Sequence, residues 1–89
     1  MKNHDLIITH LNESIQALQR IVICLETGHL FGTRKPMRYR GVHFRSHLEH
    51  VQHHINYAWN IRDVPYEHAL NATDEEFERW STFWISGDD

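Results

Sequence analysis

The chain has 89 residues, a formal net charge of −3 and one cysteine, Cys24. That length fits one domain that no internal disulfide can brace, and a core of this size is only marginally stable without a metal or a second subunit. No stretch approaches the length of a membrane span, and "MKNHDLIITHLNES" lacks the unbroken apolar run of a secretory signal, so a cytoplasmic protein is expected and a membrane partner is not.

The small net charge hides a separation along the chain. Arg34, Lys35, Arg38, Arg40 and Arg45 are five of the nine basic residues, whereas from Asp63 onward eight acids face Arg79 alone. This layout suits contact with another copy or with an anionic partner at the basic stretch. Duplex DNA is disfavoured as that partner, because an acidic domain lacks the broad positive footprint that duplex binding needs.

The first element is a helix over about 3–27. Ile8, Leu11, Ile15, Leu18, Val22 and Leu25 alternate steps of three and four with β-branched residues at one heptad position and leucine at the other, the pattern of a helix–helix seam. Leu6, Ile7, Ile21 and Cys24 widen the stripe, so this helix should meet more than one neighbour, and Cys24 should be buried and inert. Gly28 should end the helix, as glycine does just past a C-terminus.

Residues 28–41, "GHLFGTRKPMRYRG", read as a basic, irregular loop without strands. Spacing resumes with Phe44, Leu48, Val51, Ile55 and Ala58, predicting a second helix over about 42–61 that pairs antiparallel with the first. Pro65 interrupts the pattern and "YEHAL" reads as a short turn or helical turn. A third, short helix is expected over about 74–85. Thr73 and Glu76 form a capping box at its start, acids fill its first turn, and Phe77, Trp80 and Trp84 share a face. "WSTFW" cannot turn wholly inward, so part of it should be exposed or meet a partner, and "SGDD" should fray. The fold class is therefore all-α: a small antiparallel helical hairpin or three-helix bundle, completed by homo-oligomerisation.

His43, His47, His50 and His54 form a line along the second helix, each one position before an apolar residue. The line thus lies about 100° from the seam, at the border of the buried face. Histidines at i and i+4 can chelate one divalent ion such as zinc, so these four are candidate metal ligands. A complete site needs a third donor from elsewhere. Antiparallel pairing brings Glu13 near His54 and Glu26 near His43 or His47, or a two-fold axis joins two stripes. The competing readings are border residues bonded to a neighbouring helix or water, and a pH-sensitive contact or catalytic base. His53 and Glu49 point further out, where Arg45 and Glu49 can pair.

"GHLFGTRK" fails as a phosphate-binding loop, since its glycines have the wrong spacing and follow a helix. A looser site survives, in which Arg34, Lys35, Arg38 and Arg40, with Tyr39 for stacking, hold a phosphorylated ligand or an acidic surface. Trp80 and Trp84 are candidate partner-binding aromatics. Glu75 and Glu78 are spaced like one half of a magnesium site, but no second acidic pair faces them, so capping explains these acids better.

Three functions follow from these residues, the last of them a structural module whose only role is self-association. The first is a non-enzymatic binding protein, an inhibitor or accessory factor, that contacts an anionic macromolecule or phosphorylated ligand through the basic loop and the aromatic C-terminal helix. The second is a metal-dependent helical protein, a hydrolase of nucleotides or phosphate esters, that uses the histidine stripe. No catalytic constellation is complete in the sequence, which favours the first.

Overall fold

The computed structural model describes residues 1–35 and 37–84. The order is α1 (His4–Thr27), β1 (His29–Leu30), β2 (Met37–Arg38), α2 (Gly41–Asn60), α3 (Tyr66–Leu70) and α4 (Asp74–Thr82). The fold is mostly helical, as composition and periodicity predict. None of these helices is long and apolar enough to cross a membrane.

Helix α1 ends at Gly28, whose N–H donates to the Cys24 carbonyl at 2.8 Å and whose φ of 77° turns the chain out of the helix, a geometry that costs glycine little. The basic stretch is not wholly irregular. His29 pairs with Arg38 and Leu30 with Met37 in a short antiparallel ladder, and the Tyr39 N–H extends it by donating to the Gly28 carbonyl at 2.8 Å. The strands escape a search for alternating patterns because each is two residues long. Their effect is to fold the chain back so that α2 runs antiparallel to α1, with His10 beside His54 and Asn3 beside Ile61.

The seam of α1 does not do what its periodicity predicts. Ile8, Leu11, Ile15, Leu18, Val22 and Leu25 are 42–57% exposed, and α2 instead lies on the row that buries Asn3, Ser14, Ile21 and Cys24. Small side chains at Ser14 and Ala17 suit a close approach of the two backbones, and the Ser14 hydroxyl is satisfied locally by the His10 carbonyl at 3.1 Å. Cys24 is fully buried, as expected.

The hydrophobic core sits where α1 begins and α2 ends. Tyr57, Ile61 and Trp80 are buried there, with Leu6, Ile7, Val64 and Ala72 packed around them. Asn3 closes this end, its amide donating to the carbonyls of Ile61 and Val64 at 2.7 Å each. Helix α4 starts with the predicted capping box, Thr73 Oγ1 accepting from the Glu76 N–H at 3.1 Å. It ends at Thr82, three residues short of the expected limit, and Ile85 and "SGDD" lie outside the described residues. Carbonyls at the end of a helix lack intrahelical donors. Here Asn56 donates to the Ser81 carbonyl at 3.1 Å, and Asn60 to those of Trp80 and Phe83 at 2.9 Å each. Two asparagines of α2 thus hold the last turn of α4.

Candidate metal centre

The α1–α2 contact splits the histidine stripe into two pairs. At the loop end, His43 Nδ1 accepts the Arg40 N–H at 3.0 Å, and His47 Nδ1 shares a hydrogen bond with the Tyr39 hydroxyl at 2.9 Å. The Tyr39 ring stacks on both imidazoles, so the aromatic of the basic loop is engaged inside the molecule. Burial, and after it the Cys24 thiol, hold the Tyr39 phenol above its ordinary value.

The other pair meets α1. His54 Nδ1 lies 3.0 Å from His10 Nδ1 and 3.2 Å from Glu13 Oε2, and one donor atom from each of the three residues falls within 4.8 Å of the other two. His54 Nε2 is 3.2 Å from His50 Nε2. His10 is held from behind by the Tyr57 ring, with centroids 4.4 Å apart, and Tyr57 rests on Phe77 and Trp80. The core therefore fixes the orientation of a donor in the cluster.

Simple hydrogen bonding serves this arrangement poorly. His54 Nδ1 faces an imidazole nitrogen and a carboxylate oxygen together, and one proton on it can point at only one of them. A divalent ion accepts all three lone pairs at once. Ligands at about 2.0–2.1 Å from a tetrahedral zinc lie about 3.3 Å apart, close to the two separations found here. With His54 Nδ1 on a metal, its Nε2–H donates to His50, the outer-shell bond that sets a ligand's tautomer.

Electrostatics favour the ligand form. Burial first, and the neighbouring His54 second, hold the His10 imidazole below its ordinary value, against a smaller opposing effect of Glu13. Burial likewise lowers His54, opposed by Glu13 and aided by His50 and His53. Imidazoles that are neutral at neutral pH need lose no proton to bind a metal. His47 is lowered by burial and then by the charge of Arg20. Arg20 is exposed on the wall of a cleft of about 450 Å³ whose lining includes Glu13, His47, His50 and His54.

Of the sequence candidates, His54 is in the cluster with the Glu13 that antiparallel pairing supplies, and His50 is next to it. His43 and His47 belong to the Tyr39 arrangement, and Glu26 is not part of the cluster. Sequence reasoning missed His10. The available signal was its spacing of three from Glu13, which puts both on neighbouring turns facing α2. Arg34, Lys35, Arg38 and Arg40 are all exposed. Trp80 is buried in the core, whereas Trp84 is 73% exposed and lines a separate shallow cleft with Glu49, His53 and Asn56. The Arg45–Glu49 pair forms at 3.2 Å.

No protein family, curated protein or solved structure matches this chain.

Proposed function

We propose that this chain is a metal-dependent helical protein that holds a divalent transition-metal ion between α1 and α2, through His10 Nδ1, His54 Nδ1 and the Glu13 carboxylate. The observation that carries the reading is the convergence of those three donor atoms at the helix contact. Two imidazoles and one carboxylate suit zinc, iron(II), nickel or copper better than magnesium or calcium, which prefer all-oxygen sites. Three protein donors leave a coordination position open, the pattern of catalytic rather than structural zinc. The cleft on that side presents Arg20, a cation suited to a phosphate or carboxylate group on a metal-bound ligand. Hydrolysis of a phosphate ester or nucleotide by a metal-bound water is the chemistry such a site supports.

The test is metal analysis and X-ray absorption on protein purified without a histidine tag, stripped with chelator and reloaded with zinc. One ion per chain with two imidazoles in its shell, lost in His10→Ala and His54→Ala but kept in His43→Ala, is expected. Equal loading of His54→Ala and the unaltered chain overturns the reading.

A second reading rests on the exposure of Arg34, Lys35, Arg38 and Arg40 together on the loop, where an anionic macromolecule can reach them. It expects binding to a single-stranded oligonucleotide or acidic peptide that weakens steeply with salt and is lost when the four are changed to serine. Binding unchanged by those substitutions sinks it.

A further inference from the structure

We propose that the uncovered apolar face of the α1–α2 pair is the contact with a second copy of this chain. Two copies then stack face to face around a two-fold axis, leaving the His10–Glu13–His54 clusters on the outside.

Helix α1 carries two apolar rows, and the structure uses only one. The row through Ser14, Ile21 and Cys24 is covered by α2, while the regular row from Ile8 to Leu25 is left half exposed. The bare row continues across the groove onto α2. Leu11 and Ile55 line one depression with Ile7, Ala58 and Trp59, and Phe44 and Leu48, on the same side of α2 as Ile55 by their spacing, are 36% and 40% exposed. The result is one apolar sheet of side chains two helices wide.

This face is separate from the metal centre. Glu13 stands midway between Leu11 and Ile15, and Arg20 midway between Leu18 and Val22. At about 100° per residue, each therefore projects from the opposite side of α1.

Surface area is ample for such a contact. The chain exposes 6724 Å², whereas a compact chain of this mass exposes about 5,500 Å². The excess of about 1,200 Å² is more than the roughly 800 Å² that each partner contributes to a standard interface. The radius of gyration is 15.2 Å, against about 12 Å for a compact domain of 89 residues. Among the described residues eight hydrophobic side chains are buried and nineteen large ones are exposed, a ratio that fits half of a larger core.

Charge and pattern select a second copy as the occupant. The row holds isoleucine or valine at one heptad position and leucine at the other, the arrangement that self-associating helices use. Its outer flank offers Asn12, Gln19 and Glu26, and Arg62 lines the depression on the α2 side, so the face carries few charges and they are of both signs. A face this apolar gives a strongly charged partner little to pair with. A self-complementary face of this kind closes as a dimer.

Sedimentation equilibrium of the untagged full chain, with and without zinc, is the direct test. The expected mass is twice the 10.7 kDa of one chain, and the thermal midpoint should rise with protein concentration, as it does for any coupled folding and association. Leu18→Glu with Val22→Glu should shift the species to monomer while the metal content per chain is unchanged, which separates this proposal from the metal reading. If that double variant fails to fold, Leu18→Gln should weaken association at least tenfold with helicity retained. A monomeric unaltered chain at roughly 100 µM, or a dimer indifferent to both sets of substitutions, overturns the proposal.

Discussion

The Nδ1 atoms of His10 and His54 lie 3.0 Å apart across the α1–α2 contact, and His54 also meets His50 through its other nitrogen. If His54 is a ligand and His50 its outer-shell partner, their removal should differ in degree. His50→Ala should weaken zinc binding about 10–100-fold, and His54→Ala by more than that. Competition against a chromophoric chelator reads both, and equal losses would contradict the assigned roles.

Metal binding should also stabilise the fold, because the ligands come from two helices that separate on unfolding. At free zinc of one hundred times the dissociation constant the gain is about 2.7 kcal/mol. Urea unfolding with and without zinc measures it, and an unchanged midpoint would mean that the folded chain holds no ion.

Asn3 adopts φ 62° and ψ 34° before the first turn of α1 while its amide donates to two carbonyls just past the end of α2. Asn3→Ala removes two hydrogen bonds worth about 1 kcal/mol each and leaves a side chain that resists the left-handed conformation, for a loss of about 2–4 kcal/mol. Asn3→Gly keeps the backbone comfortable and should cost about 1 kcal/mol less. Equal destabilisation by the two would show that the backbone conformation contributes nothing.

Glu76 accepts from the Thr73 N–H and faces His68 Nε2. The backbone bond from Thr73 first, and the His68 contacts after it, hold its carboxyl below its ordinary value, against a contribution from burial. A carboxyl depressed in the folded state stabilises the fold above its unfolded value and loses that contribution as pH falls through the folded one. Glu76→Gln, which keeps the capping shape without the charge, should therefore melt lower than the unaltered chain at pH 7. The gap should close below the normal glutamate range, and a gap independent of pH would refute this origin.

Ile61 is fully buried beneath Tyr57 and Trp80, so Ile61→Ala should cost about 2–5 kcal/mol in denaturant unfolding. Arg45→Ala, which breaks only an exposed pair with Glu49, should cost less than about 0.5 kcal/mol.

Local chemistry made much of this molecule readable from its residues. The helical class, the end of α1 at Gly28, the capping box of Thr73 and Glu76, the burial of Cys24 and the approach of Glu13 to His54 follow from periodicity, left-handed glycine, side-chain hydrogen bonding and antiparallel register. Which apolar row of α1 would be covered did not follow. Spacing states which residues share a face, but the choice between two rows depends on the packing of both helices at once, and here the row through Ser14, Ile21 and Cys24 is the buried one. That choice turned His10 into the contact, brought its ring nitrogen to His54 and left the more regular row outside. The centre exists because residues far apart in the chain are brought within a bond length or two, a relation that only the packed helices create.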